Sequence, residues 1–378
     1  MSLLVLALVL VIGLAGPLLA TPERARVPVV VGEILLGVLV GRTGFGWIRA
    51  DNPELSFLAS VGFALVMLEA GSHVPLGDPA LRGALRKGVL LAIGVGVLAV
   101  PAGIGVAALA GTGHALLYAV LLASSSAALV VPVLDEANLH SGAALVTIVQ
   151  VAVADIACII ALPLAENPGK AGPAALGAVA VIAAGGAVFL VMRRLRDRGM
   201  LRRLHRLSSR RDFGLELRVR LIILFVLAGI AQLLGVSVML AGFVAGLMLR
   251  AEGEPRRLAR QLFGLTDGFL APVFFVWLGA SVDLRALVQS PRLILLAAML
   301  IAGTVLVHAA TNLAGQPLPF AVLASAQLGL PVAAVTIGTA RDLLSPGEGA
   351  AILAAAMGSV IITGIAAHRA AGSAVASS

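Results

Sequence analysis

Apolar stretches long enough to cross a bilayer recur through almost the whole of this 378-residue chain. Water cannot satisfy backbone N–H and C=O groups inside lipid, so each stretch must form a helix or join a closed barrel. Runs of this length and hydropathy specify helices. We read thirteen spans, near 2–20, 27–47, 55–73, 87–110, 115–134, 143–164, 173–193, 215–234, 236–250, 262–281, 292–314, 318–340 and 347–368. Composition agrees: 60% of residues are hydrophobic, 12% are charged and mean hydropathy is +1.06. The expected fold is all-α and integral to a membrane. The opening MSLLVLALVLVIGLAGPLLA lacks a basic leader and is expected to be the first span, not a signal peptide. The single cysteine, Cys158, excludes a disulfide framework and a cysteine-rich metal site, and reads as a packed thiol. A net charge of +8 suggests nucleic acid in a soluble protein. Here it belongs to cytoplasmic loops, and no nucleic-acid partner is expected.

Lysine and arginine placement sets the expected orientation. With the N-terminus outside, 21 of the 27 basic residues fall on the inner side, eleven of them arginines between Arg193 and Arg220. The outer side receives Arg42, Arg49, Lys170, Arg285, Arg292 and Arg341. The C-terminus is then cytoplasmic and the membrane is the cell's inner or plasma membrane. The stretch 193–220 becomes a linker facing anionic lipid. Residues 1–370 are expected to form one transmembrane domain, with halves at about 1–164 and 215–370 joined by helix 173–193 and that linker. A short tail, 371–378, follows, and no nucleotide-binding domain is expected beyond it. Two six-span halves separated by one helix must be oppositely oriented, which is the arithmetic of an inverted repeat.

Asp155 is a lone carboxylate in AALVTIVQVAVADIACIIALPL, residues 143–164. Ionisable groups at membrane depth are costly, and mark ion or proton sites. Asp155 can carry a proton, or carry charge with a cation beside it. Two other segments can break in mid-span. The fifth span holds Ser124, Ser125 and Ser126 before Pro132, and the twelfth holds Gln327, Gly329 and Pro331. They occupy equivalent places in the two halves, where interrupted helices would present dipoles to an ion. The alternative is that Gly and Pro merely kink these helices, and that the serines bond to backbone carbonyls one turn back. Gln150 precedes Asp155 by five residues. Glu33 and Glu69 are intramembrane carboxylates that a proton and a neighbouring helix would satisfy structurally. His308 reads either as a neutral imidazole bonded to a carbonyl or as a partner for Asp155.

At these residues the chain resembles the monovalent cation:proton antiporter-2 family, the sodium/hydrogen exchanger membrane domain of the Kef and Nap type. VPVVVGEILLGVLVGRTGFG is similar to its second-span signature, with Glu33 at the glutamate. VGFALVMLEAGSHVPL resembles the third span, with His73 where a glutamate is usual. LLASSSAALVVPVLDE resembles the broken fifth span, with Ser125 and Ser126 near a Ser-Thr pair. LAPVFFVWLGASVDL carries the Pro272, Phe274, Phe275 and Gly279 pattern. The resemblance implies thirteen helices, a six-helix core crossed by two broken helices, a dimerisation domain, and exchange of Na+ or K+ for H+ by an elevator movement. It puts Asp155 at the ion-binding aspartate. The chain departs from the pattern twice. Ala154 stands beside Asp155 where relatives have an acid, Asn or Gln. The family's eleventh-span Lys or Arg falls near Gly303 or Thr304, with His308 one turn further on.

The expected function is therefore electroneutral cation/proton exchange. Serine hydroxyls and unwound carbonyls would complete an oxygen shell at Asp155, since hard cations prefer oxygen ligands. No cofactor is expected. A homodimer and a separate cytoplasmic regulatory subunit are the expected protein partners. Two alternatives keep a similar fold: a regulatory subunit that conducts nothing, and a sodium-coupled carrier of an organic anion. An enzyme is disfavoured, because no HExxH or GxSG lies in a span. A channel is disfavoured because no filter-like loop is evident.

Overall fold

The computed structural model describes residues 2–20, 29–73, 82–136, 139, 141–166, 169, 171–200, 214–252 and 256–376. Arg24, Arg26, Lys170, residues 201–213 of the basic linker and the last two residues of the tail lie outside the described residues, as does the Pro132 side chain. All regular structure among the described residues is helical. The first half runs α1 (Leu3–Ala20), α2 (Val29–Val40), α3 (Pro53–Ser72), α4 (Arg82–Ala110), α5 (Ala115–Ala123), α6 (Ala127–Glu136) and α7 (Gly142–Glu166). Then come α8 (Ala171–Asp197), α9 (Leu215–Leu233), α10 (Val238–Glu252) and α11 (Arg256–Leu265). A widened turn over Thr266–Leu270 leads into α12 (Ala271–Ser281) and the short α13 (Leu284–Val288). α14 (Pro291–Ala309) ends in a tightened turn, Ala310–Ala314, before α15 (Leu318–Leu323), α16 (Gly329–Ala340) and α17 (Pro346–Ala376).

Among the described residues, seven helical stretches are long and apolar enough to cross a membrane by length and composition: Pro53–Ser72, Arg82–Ala110, Gly142–Glu166, Gly172–Asp197, Arg260–Ser281, Pro291–Ala314 and Pro346–Ala367. The fifth and twelfth predicted spans are each split into two short helices, α5/α6 and α15/α16, with non-helical backbone at Ser124–Ser126 and near Ala324–Leu328.

The chain divides into two compact units that each draw on both sequence halves. The first comprises Met1–Asn52, Gly77–Pro168 and Phe275–Ser378. In it α4 packs on α5 and α7, and α14 packs on α4, α5 and α17. A core formed by Ala127, Val130 and Leu134 of α6, Ala144 and Val151 of α7, Phe320 and Leu323 of α15, and Ala366 of α17 holds the split helices together. Ser345 and Glu348 cap α17 reciprocally: Ser345 N donates to Glu348 Oε2 (3.0 Å), and Glu348 N donates to Ser345 Oγ (3.3 Å). The other oxygen, Oε1, accepts from the Tyr118 hydroxyl at 3.3 Å, tying α5 to that cap.

The second unit comprises Pro53–Leu76 and Gly169–Phe274. α3 and α10 are its closest pair. Their backbones touch through small residues, the usual way for helices to associate in lipid. A Cβ at Gly246 would lie 2.0 Å from the Leu68 carbonyl oxygen, and one at Gly71 would lie 2.3 Å from that of Phe243. Backbone cannot move aside as a side chain can. Gly246→Val is expected to cost about 3 kcal/mol or more, seen as a large drop in the melting temperature of the purified protein in detergent. An unchanged melt would contradict this packing. Elsewhere in the unit, Glu252 forms a buried ion pair with Arg220, and its carbonyl accepts from Arg196 Nη1 at 3.0 Å.

Candidate ion-binding site

The two interruptions meet inside the first unit. Ser124 Oγ lies 2.6 Å from Gln327 Oε1 and 2.8 Å from its own helix's Leu121 carbonyl. Ser125 Oγ lies 2.6 Å from the Ala324 carbonyl oxygen. Unwinding both helices at the same place exposes backbone groups, and the side chains of one break satisfy the other. Gln327 Nε2 donates to Thr304 Oγ1 (2.8 Å), bringing in α14, while Gln327 N donates to Ser359 Oγ (3.3 Å), bringing in α17.

His308, wholly buried on α14, closes the network. Its Nδ1 lies 2.9 Å from the Thr304 carbonyl oxygen, which accepts only from a protonated nitrogen. The neutral ring then presents Nε2 as an acceptor, 3.1 Å from Ser125 Oγ. Ser125 has one hydroxyl proton and two acceptors, Nε2 and the Ala324 carbonyl, so it can donate to either.

Asp155 sits on α7, 8% exposed, with Oδ2 3.2 Å from the backbone nitrogen of Ala127, the first residue of α6. That N–H has no partner within the helix. The positive end of the α6 dipole therefore faces the carboxylate. The preceding Ser126 is buried, and its carbonyl accepts from Leu129 N and Val130 N at the start of α6. Gln150, about one and a half turns before Asp155 on α7, is buried with neither amide atom hydrogen-bonded among the described residues. An unpartnered buried amide is costly and leaves a carbonyl oxygen available to a ligand. A cavity of about 10 Å³, lined in part by Thr304, Gln327 and Pro331, lies against the network and is near the smallest that accommodates one water.

Of the residues singled out from the sequence, Ser124, Ser125, Gln327, Thr304 and His308 are joined by hydrogen bonds, and Asp155 borders the same α5/α6 break. Glu33 is placed elsewhere: its Cγ packs where a Cβ on Gly16 would stand, between α1 and α2. Glu69 belongs to the second unit, where it hydrogen-bonds Asp267. Sequence reasoning missed Ser359, the Ala127 N–H and the Ala324 carbonyl. Ser359, a lone hydroxyl in an Ala/Met/Val/Ile-rich stretch, carried a weak signal, and the two backbone groups carried none.

Two interrupted helices meeting beside a buried carboxylate are the architecture of ion-coupled secondary carriers. Residues 5–371 match the family described as sodium/hydrogen exchanger, transmembrane. The chain belongs to that family of cation:proton antiporters, and is a multi-pass membrane protein. It is 24% identical over 94% of its length to YjbQ of Bacillus subtilis (strain 168), of which it spans 61%. It is 24% identical to a Na+/H+ antiporter of Enterococcus hirae, over 69% of this chain and 68% of that one. Among solved structures, the sodium proton antiporter MjNhaP1 of Methanocaldococcus jannaschii superposes with a TM-score of 0.67 over 98% of this chain and 95% of that one, at 18% identity. The fold is therefore the sodium/hydrogen antiporter fold.

Proposed function

We propose that this protein exchanges a monovalent cation, Na+ or K+, for H+ across the membrane, with Asp155 as the group that binds each in turn. The observation that carries the reading is the contact between Asp155 and the first N–H of α6, where the two broken helices meet. The N–H and the helix dipole favour a charged carboxylate at a place lipid would otherwise keep neutral. A cation at Asp155 would find hydroxyl and carbonyl oxygens from Ser124, Ser125, Ser126, Gln150 and Gln327, which are ligands suited to a hard ion. A proton on the carboxylate removes the charge that holds the cation, so the two compete.

With one carboxylate at the crossing, each cycle trades one cation for one proton and moves no net charge. The basic residues favour an N-terminus outside and a C-terminus in the cytoplasm. A homodimer, and control by a separate cytoplasmic subunit, belong to the same reading.

Flux in proteoliposomes holding a trapped pH dye tests it, with Na+, K+ and Li+ added in turn. The expected result is a cation-driven internal pH change whose apparent KM rises about tenfold for each unit of acidification once Asp155 is mostly protonated. A voltage-sensitive dye is expected to stay silent, and clamping the membrane potential should leave the rate unchanged. A potential generated by exchange itself would contradict the one-for-one stoichiometry. No response to any cation, from folded protein, would favour the non-conducting subunit, a reading supported by the lack of any Lys or Arg in α14 after Arg292.

A further inference from the structure

Eleven residues beyond Asp155, α7 ends in a second buried carboxylate. Glu166 is 6% exposed, and neither of its oxygens has a hydrogen-bond partner among the described residues. An ideal helix turns 100° per residue, so eleven residues bring Glu166 back to within about 20° of Asp155, displaced ~16 Å along the axis. The two carboxylates therefore share one face of one helix, three turns apart. Between them that face carries Cys158, Ile159 and Leu162, all buried. Pro163, also within α7, has no N–H to give, so the Ile159 carbonyl loses its usual partner four residues on. That oxygen lies between the two acids and points along the helix axis toward the Glu166 end. Arg341, just beyond the end of α16, which packs on α7, acts electrostatically on Glu166. It exerts electrostatic attraction without hydrogen-bonding the carboxylate.

We propose that Glu166 is a second cation-binding station, which takes a monovalent cation at one end of α7 and supplies it to Asp155 from one face of the membrane. This rests on the exchange reading above. An unpartnered buried carboxylate is expensive unless something charged and oxygen-seeking visits it. Its oxygens and the Ile159 carbonyl are the ligand type a hard monovalent ion takes. Arg341 lowers the affinity of the station, so that an ion held there can leave for Asp155.

The test uses the full chain in proteoliposomes of defined sidedness, with the KM for Na+ and for K+ measured on each face. Glu166→Gln is expected to raise the KM about tenfold on one face only, with the maximal rate and the opposite face unchanged. Glu166→Asp, which retains the charge, should stay within about twofold of wild type and shows whether a carboxylate is what matters. An unchanged KM on both faces would overturn the station. So would an equal loss on both faces accompanied by a fall in rate, which marks a structural role. A shifted pH profile with no change in KM would also overturn it, in favour of a proton site. Equilibrium binding keeps the result separate from exchange itself. In detergent, Asp155→Asn should still broaden the 23Na+ resonance and Asp155→Asn/Glu166→Gln should not. If wild type exchanges nothing yet that difference is seen, the exchange reading fails and the station stands. If the single and double variants broaden the line equally, the station fails.

Discussion

Asp155→Asn is expected to abolish cation-dependent proton flux, lowering the rate by on the order of 100-fold or more, which is ~2.7 kcal/mol or more of lost stabilisation. Asparagine matches aspartate in shape and can still accept from Ala127 N, now 3.2 Å from Asp155 Oδ2. It can neither take up a proton nor carry charge to hold a cation. The variant should therefore fold and reach the membrane in normal yield while failing in transport, because the one hydrogen bond the carboxylate makes among the described residues, from Ala127 N, is one asparagine can keep. The measurement is flux in proteoliposomes alongside a melting curve. Normal stability with no flux is the expected pair. Flux within a few-fold of wild type would remove Asp155 from the mechanism.

Gln327→Leu is the second large effect. Gln327 links both interruptions and α14: its Oε1 faces Ser124 Oγ at 2.6 Å, and its Nε2 donates to Thr304 Oγ1 at 2.8 Å. Leucine has nearly the same volume and no polar atoms. The substitution leaves Thr304 without its donor and Ser124 with only the Leu121 carbonyl. Stranding buried polar groups costs about 1–3 kcal/mol each. Exchange is expected to fall about 10- to 100-fold, with a measurable loss in thermal stability, because the network holds the two breaks in register beside the α6 end that Asp155 contacts. Gln327→Glu should stay closer to wild type in stability, since it keeps an acceptor for Ser124. If Gln327→Leu melts and transports like wild type, the hydrogen-bond network is incidental to the crossing.

Much of this arrangement is legible in the amino-acid sequence. Hydropathy alone demands membrane helices. The serine triplet and the Gln-Leu-Gly-Leu-Pro segment stand out because hydroxyls, amides, Gly and Pro are rare together in spans of Ala, Val and Leu. That contrast placed both breaks to within a few residues of Ser124–Ser126 and Ala324–Leu328. What sequence could not give is pairing across space. Nothing in the spacing of His308 and Ser125, 183 residues apart, says that they touch. Glu33 and Glu69 carry the same sequence signal as Asp155, an acid in an apolar stretch, yet they pack in other places. Glu33 lies against α1, and Glu69 bonds to Asp267. Hydropathy reports the cost of burying a carboxylate, and not which helix faces it. Glu166 escaped notice for a related reason. It stands at the edge of the apolar stretch, where an acid is ordinarily solvated, and only its burial without partners shows otherwise.

The central claim is that a proton and a cation exclude one another at Asp155. It is tested most directly by measuring protons released when Na+ or K+ is added to the purified protein in weakly buffered detergent solution. At a pH where Asp155 is largely protonated, wild type should release up to one proton per cation bound. Asp155→Asn should release none. No proton release from wild type at saturating cation, or equal release from Asp155→Asn, would contradict the account.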